Sequence, residues 1–203
     1  MDSPVERLLS ALPNGGSSGE SIDWGVVEQS WGTPFPEDFK AFMGKYGRGT
    51  IDNILAIATP MDGIRTPGVL RCRNLTPTTP IECRVERRHV TYPAWPAPGS
   101  LIGWGTTGGG LDLYWCTRSE APALWTIVVR AYHGGSAAEH RMGMVEFLVR
   151  MLGSRQQRPD NIPDILGSPH SRFIHADEES RIRRTGIDPW EYLDEFDATE
   201  DED

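Results

Sequence analysis

The sequence is poor in cysteine and has no long apolar run. Its three cysteines, Cys72, Cys83 and Cys116, stand far apart and form neither a CxxC pair nor the spacing of a disulfide framework. The first residues, MDSPVERLLSALPNGGSSGES, lack the basic and then apolar regions of a signal peptide. No stretch approaches the roughly 20 apolar residues of a membrane span. These absences argue against a disulfide-stabilised secreted domain and an integral membrane protein, and we expect a cytoplasmic protein.

A basic surplus is also missing. The net charge is −9, and nine of the acidic residues lie among the last sixteen, from Asp188 to Asp203, where no basic residue occurs. The rest of the chain then holds 20 acidic and 20 basic side chains. This balance argues against nucleic-acid binding, which needs a basic surface to displace counterions from phosphates. The acidic end is either a solvated tail that aids solubility or an arm that attracts a basic partner.

The patterns of common catalytic and metal sites are absent or contradicted. Gly103, Gly105 and Gly108 match GxGxxG, but the dinucleotide-binding fingerprint needs a helix after its glycines, and residues 111–116 alternate like a strand. We therefore expect these glycines to shape a hairpin. The five histidines show no HExxH spacing, and no GxSxG turn is present. The sequence predicts no catalytic residue, metal ligand or cofactor, although an active site assembled from distant residues, or a small-ligand site on the 103–110 loop, stays open.

Apolar spacing predicts helices on either side of a group of strands. The clearest helix begins at Pro36, which suits a first helical position, and Gly47 stands where a left-handed cap is needed. Its apolar side chains recur at i, i+3, i+4 and i+7: Phe39, Phe42, Met43 and Tyr46. Ser21 is the expected cap of an earlier helix. The remaining predictions are helices at 4–12, 21–30, 144–152 and 178–184, and strands at 50–58, 100–104, 111–116 and 124–131. Residues 81–90 fit either a helix or an edge strand, and we favour the helix.

This order indicates an α+β fold: a single domain with a mainly antiparallel (mixed) sheet packed by helices. We place the domain at residues 21–153. Residues 1–20 precede it as a helix and a flexible Gly- and Ser-rich linker. Residues 154–203 follow as an extension whose acidic tail starts at 188. The tail's apolar side chains, Trp190, Leu193 and Phe196, are expected to line a helical turn or to dock onto the body.

Tryptophan is abundant, with seven residues in the chain. Five of them fall in or beside predicted elements: Trp24, Trp31, Trp104, Trp115 and Trp125. Core packing is the ordinary role of such residues. Tryptophan is also among the residues most enriched at binding hot spots, so we expect one or two to be partly exposed.

Two segments carry a family pattern. The first is WGTPFPEDFK at 31–40 with YGRGTI at 46–51, in which Phe35 replaces a common Leu and Arg48 interrupts a run of glycines. The second is LIGWGT at 101–106, LYW at 113–115, WTIVV at 125–129 and GMVEFL at 143–148, with Gly103 in a position that is often Pro. Together they resemble the SUKH superfamily, which contains bacterial toxin-immunity proteins and yeast cell-wall-assembly regulators. The likeness covers about residues 22–153.

The resemblance implies an α+β fold and a non-catalytic role in protein binding, since the family shares no catalytic residues. The leading hypothesis is an immunity-type protein that neutralises a partner toxin, with a basic nuclease domain as one candidate partner. The alternative is a regulatory or scaffolding domain without a toxin partner. Acidic residues near Asp38 and Asp52, and the tail, favour a basic partner. The predicted protein-binding residues form one rim: Trp31, Asp38, Tyr46, Arg48, Trp104 and Asp112.

Overall fold

The computed structural model describes residues 4–13, 19–60, 75–131, 135–153 and 171–191. Within these ranges the chain is a single α+β domain in which ten strands form one mixed, mostly antiparallel sheet accompanied by five α-helices. The helices are α1 (Pro4–Ala11), α2 (Trp24–Trp31), α3 (Glu37–Lys45), α4 (Met144–Leu152) and α5 (Ala176–Arg183). The strands are β1 (Gly49–Ile51), β2 (Leu55–Ile57), β3 (Thr76–Pro77), β4 (Ile81–Val85), β5 (Arg88–Tyr92), β6 (Leu101–Thr107), β7 (Leu111–Cys116), β8 (Thr126–Ala131), β9 (Ser136–His140) and β10 (Phe173–His175). The predicted fold class and its mainly antiparallel sheet are confirmed.

The sheet curls back on itself. Its strand order is β10-β1-β2-β6-β7-β8-β9-β4-β5, and β3 pairs with β6 as well. Each pairing is antiparallel except that of β4 with β9. Only residues 78–80 separate β3, which contacts β6, from β4, which contacts β9. β3 and β4 therefore connect the two outer strands of the segment β6-β7-β8-β9, namely β6 and β9. This part of the sheet is curved and has an inner and an outer face.

The two faces hold separate apolar clusters. Along β7, Leu113 and Trp115 belong to the main core, whereas Tyr114 and Cys116 belong to the smaller cluster on the other face. This alternation is the two-residue period of a strand. β4 and β5 add further members to the smaller cluster. Cys116 is a free thiol within this cluster, and burial raises its pKa to about 11.

Helix α3 packs its apolar stripe against the main core. Phe39, Phe42, Met43 and Tyr46 are fully buried, as predicted. Pro36 is the residue before the helix rather than its first residue, and it has an extended ψ of 135°. Gly47 has a φ of +73°, the left-handed conformation that the sequence predicted at the end of this helix.

Two predictions of secondary structure are wrong because each missed a hairpin. Residues 50–58 form β1 and β2, joined by a three-residue loop in which Asp52 and Asn53 have φ values of 50° and 54°. The helix favoured for residues 81–90 is not formed: as in the alternative prediction of an edge strand, these residues are extended, and they form β4 and most of β5, joined by Glu86 and Arg87 at φ values of 47° and 69°. A two-residue loop with positive φ at both positions matches the twist of a hairpin, but its usual residues are Asn, Asp and Gly, and Glu-Arg does not indicate such a turn.

The cap of α2 also differs from its prediction. Asp23, not Ser21, precedes the helix, and its side chain accepts a hydrogen bond from the Val26 N–H at 3.2 Å. The glycine-rich segment behaves as expected: Gly103 and Gly105 lie within β6, which forms a hairpin with β7 rather than leading into a helix.

Elements from both ends of the chain share the main core and the sheet. Leu8 and Leu12, in and just after α1, are fully buried in the core. β10 pairs with β1 and places Phe173 in the same core. The sheet and core thus extend beyond the segment 21–153 on both sides, and α5 begins directly after β10.

Candidate functional site

Two of the six residues predicted to bind a partner lie in the core. Tyr46 is fully buried, and its hydroxyl donates to the Leu12 carbonyl at 2.8 Å. Trp104 is fully buried against Trp115, with 6.0 Å between the ring centroids. Neither side chain reaches the surface, so neither can contact a partner in this conformation.

Asp38 has a structural role in joining two helices. One carboxylate oxygen accepts the N–H of Phe39 at 2.9 Å, and the other accepts the N–H of Val145 at 3.0 Å. Val145 is in the first turn of α4, whose preceding residue, Gly143, has no side chain to cap it. A Cβ at Gly143 would lie 2.5 Å from the Asp38 carboxylate. The acidic side chain and the glycine therefore form one cap between α3 and α4.

Asp112 lies on the opposite face of the sheet from Trp104. Its carboxylate accepts hydrogen bonds from the hydroxyls of Thr106 and Tyr114, both at 3.1 Å. Burial, together with the Asp112 charge, raises the pKa of Tyr114 to about 12. Asp112 pairs in register with Arg130 on β8. The predicted single rim is therefore not formed, because Tyr46 and Trp104 lie in the main core and Asp112 lies beside Tyr114 on the other face of the sheet.

Arg48 lies in a charge cluster that is largely buried except for Asp177, and we call it the clasp: Glu20, Arg48, Thr59, His175 and Asp177. The Arg48 guanidinium pairs with Glu20 through Nη1 and with Asp177 through Nη2, the latter at 2.8 Å. The Arg48 backbone N–H donates to Glu20 at 3.3 Å, and the Thr59 hydroxyl donates to the second Glu20 oxygen at 3.2 Å. Only 8% of the Arg48 side chain and 9% of the Glu20 side chain are exposed. The clasp joins residue 20, the start of the sheet and α5.

His175 completes the clasp from the end of β10. Its Nδ1 accepts the N–H of Asp177 at 3.2 Å, which caps α5. A neutral ring that accepts at Nδ1 carries its proton on Nε2, and Nε2 lies 3.4 Å from Glu20 Oε1. Burial alone would raise the pKa of Glu20, but His175 and Arg48 outweigh burial and hold that pKa below its ordinary value. The cluster thus favours a negatively charged Glu20.

The start of the acidic tail is fixed to the body by Trp190. This side chain is 3% exposed, and its Nε1 donates to Glu179 at 3.1 Å. The Arg172 guanidinium lies 5.8 Å from the Trp190 ring centroid and donates to the Pro189 carbonyl at 2.8 Å. The expectation that the tail's apolar residues dock onto the body is therefore confirmed for Trp190. Leu193 and Phe196 lie outside the described residues.

Asp52 is also used internally. It is 5% exposed and accepts from the Ser171 hydroxyl at 2.6 Å and from the Arg172 N–H at 2.9 Å. Burial raises the pKa of Asp52, although both hydrogen bonds and the Arg172 charge act in the other direction. Asp52 joins β1 to the segment before β10, so it adds little acidic surface for a partner.

Trp31 is the one predicted residue that lies among partly exposed aromatic side chains. Its ring meets Phe35 at 5.6 Å and Trp95 at 5.9 Å between centroids. Trp31 and Trp95 are half-buried. The sequence analysis does not predict Trp95 as a binding residue, because the proline-rich loop around it has no apolar periodicity. The feature that could have indicated it is a single aromatic residue in a loop that is otherwise rich in Pro and Ala.

Sequence reasoning also missed Glu20 and His175. They contact each other across 155 residues, and the Arg48–Asp177 pair spans 129. No local pattern marks such pairs, because each partner alone resembles an ordinary surface residue. Arg48, which interrupts the glycines after α3, is the one member of the clasp that the sequence analysis predicts as a site residue.

The comparisons with known proteins add no relative. No protein-family model, no curated protein and no solved structure matches this chain. Among the described residues, no three His, Cys, Asp or Glu side chains are grouped in a way that could hold a metal ion. Nor does the described part contain a helix with the length and apolar character needed to cross a bilayer.

Proposed function

We propose that this protein is an immunity-type protein that binds a basic partner toxin and occludes it, as the resemblance to the SUKH superfamily implies. The segments that carry the resemblance support this proposal because they build one continuous unit. WGTPFPEDFK leads into α3, YGRGTI into β1, and the second segment supplies β6, β7, β8 and α4. Their side chains meet in the main core, where Phe35 contacts both Trp115 and Trp125.

The observation that carries the proposal is the fixed start of the acidic tail. Trp190 is buried beside Glu179 and Arg172, and eight of the thirteen residues 191–203 are acidic. The surplus negative charge of the chain therefore begins at a defined point on the body instead of being spread over it. An opposite charge on a partner would then raise the association rate by roughly 10- to 1,000-fold, and salt would reduce this gain.

The proposal is tested by expressing the chain with toxin domains that are encoded next to its gene. We expect survival of cells that make a toxin to depend on the chain, and the purified pair to form a complex. A fragment ending at residue 191 retains Trp190 and loses seven acidic residues. Its association rate is expected to fall at least about tenfold at 50 mM salt and to approach the full-length rate at 500 mM salt.

A matched control separates charge from length. A full-length variant in which the acidic residues of 192–203 are replaced by Asn and Gln should associate as slowly as the fragment. Absence of both rescue and complex formation with each adjacent toxin would contradict the immunity role. An association rate that is insensitive to the tail and to salt would contradict the electrostatic argument.

A further inference from the structure

One end of the sheet carries an exposed apolar surface that the internal polar networks do not use. Three segments, which we call its loops, meet there: residues 31–35, from the last residue of α2 onward, residues 93–99 before β6, and residues 117–125 between β7 and β8. We call this surface the loop end. The Trp31 ring lies 5.9 Å from Trp95 and 5.6 Å from Phe35, and Phe35 lies 6.4 Å from Trp125. The Gly99 N–H donates to the Thr117 carbonyl at 3.0 Å, which joins the second loop to the third.

The loop end combines rigid aromatic side chains with exposed small apolar ones. Trp31 and Trp95 are half-buried, and the side chain of Leu124 is 70% exposed. The other exposed apolar residues of these loops include Pro34, Ala94, Pro96, Pro98 and Ala123. Exposed apolar surface marks interaction sites in many proteins, and tryptophan is among the residues most enriched at binding hot spots.

The charges at the border of the loop end have a negative balance. Beside the first loop, Glu28 and Glu37 share the single cation Lys40, at 2.6 and 2.9 Å. Glu28 also accepts the Phe35 N–H at 3.0 Å, which places this group against the loop. In the third loop, Arg118 is paired with Glu139, and Glu120 is exposed. Arg141 is exposed and follows His140, which pairs with Ile127 near the start of β8, so it adds a third cation to this border. Four carboxylates against three cations leave one negative charge around an apolar centre.

We propose that the loop end is the docking surface for a partner protein whose own contact surface has an apolar centre and a basic border. This inference rests on the proposed function and adds the place and chemistry of the contact. A second copy of this chain fits less well, because two acidic borders would face each other and like charges across an interface oppose association. The acidic tail would attract the same basic partner from a distance, and the loop end would hold it.

The test uses a phage-displayed library of random 12-residue peptides, selected on the immobilised full chain at 50 mM salt. We expect the selected peptides to combine aromatic or aliphatic residues with Lys and Arg. Their affinity, measured by fluorescence polarisation, should fall at least tenfold for Leu124→Glu and fall with rising salt. Leu124 is 70% exposed, so this change should leave the fold intact, which circular dichroism can verify. Ile187→Glu is the matched control, because Ile187 is 58% exposed and lies outside the three loops.

Several results would overturn the inference. These are failure to select any peptide, selection of acidic or uncharged peptides, and equal loss of affinity in the Leu124 and Ile187 variants. A dimer by light scattering that Leu124→Glu dissociates would assign the surface to self-association and would also count against it. Failure of the proposed function is a separate outcome: basic peptides that require Leu124, without rescue from any toxin, would retain the docking surface and remove the immunity role. Toxin rescue that persists in Leu124→Glu would retain the immunity role and remove the docking surface.

Discussion

The clasp makes a direct prediction about stability, through the substitution Glu20→Gln. Glutamine has nearly the same shape but no charge, so Arg48 loses its most buried partner. Breaking a buried ion pair costs about 3–5 kcal/mol when the remaining charge is left unpaired. Here Arg48 would keep Asp177 at 2.8 Å, and Asp177 is 63% exposed. We therefore expect a cost just below that range, about 2–3 kcal/mol, which in a chain of this size lowers Tm by roughly 5–10 °C.

The pH dependence follows from the direction of the Glu20 pKa. The folded-state pKa of Glu20 lies below the ordinary value of 4.5, so the unfolded chain takes up the proton first as pH falls. The stabilisation by the Glu20 carboxylate is therefore fully present above pH 4.5 and is lost as pH falls through the folded-state pKa. The difference in unfolding free energy between wild type and Glu20→Gln should accordingly be largest at pH 5.5 and above and should shrink at pH 4.0 and 3.5.

The assay is urea unfolding followed by tryptophan fluorescence, with wild type and variant compared at each pH. The matched control is Glu178→Gln, because Glu178 pairs with Arg181 on the exposed side of α5, where both side chains are over 40% exposed. Such a pair is worth about 1 kcal/mol or less. A Glu20→Gln effect no larger than that of the control, or one that does not change between pH 5.5 and 3.5, would refute the reasoning.

Two further substitutions address the hairpin loops. Asp52→Asn should raise the unfolding free energy at pH 7 by about 0.5–1 kcal/mol and by less at pH 4. The reason is that the pKa of Asp52 is raised in the folded state, so the neutral carboxyl stabilises the folded protein, and this stabilisation is lost as pH rises through the folded-state pKa. Urea unfolding at both pH values measures the difference in unfolding free energy. A variant that is less stable than wild type at pH 7 would contradict the prediction. Arg87→Gly should stabilise the protein by about 0.5–1 kcal/mol, because Arg87 has a φ of +69° and glycine adopts that conformation without the side-chain penalty. Thermal unfolding checks the second substitution, and an unchanged or lower Tm would count against it.

The parts of the fold that the sequence predicted are those with strong local signals. The stripe of α3 and the apolar spacing of α4 each report burial within a few residues, and the structure buries nearly all of these side chains. The alternation of β7 correctly predicts a strand, but the strand is buried on both faces from Leu113 to Cys116 instead of on one. Residues 81–90 favour a helix in the sequence because Glu86, Arg87 and Arg88 are common helix residues, whereas the hairpin depends on positive φ values, for which Gly or Asn is the usual sequence signal. The pairing of β4 with β5 and with β9 decided the outcome there, and a single sequence does not display it.

The predicted site was less accurate than the fold for a related reason. The sequence marks Tyr46 and Trp104 as large aromatic residues within predicted elements, but it does not distinguish a core aromatic side chain from an exposed one. In the structure both side chains are fully buried. Trp31 was identified, while Trp95, its partner at 5.9 Å, was not. The surface emerges only when loops separated by some 60 residues come to the same end of the sheet.

Both ends of the described chain contribute side chains to the main core, which leads to a final prediction about a fragment of residues 21–153. That fragment would lack Leu8 and Leu12, which are fully buried in the main core. It would also lack β10, leaving β1 unpaired on one side, and it would leave Arg48 without either carboxylate. Deleting one buried leucine side chain costs about 2–5 kcal/mol, and a domain is stable by about 5–15 kcal/mol. The combined loss exceeds that margin, so the fragment should show no cooperative thermal transition in near-ultraviolet circular dichroism, whereas residues 1–191 should unfold cooperatively. If the fragment instead melts cooperatively within a few degrees of residues 1–191, then α1, β10 and the clasp contribute little to the core, and the stability assigned to Glu20 must come from elsewhere.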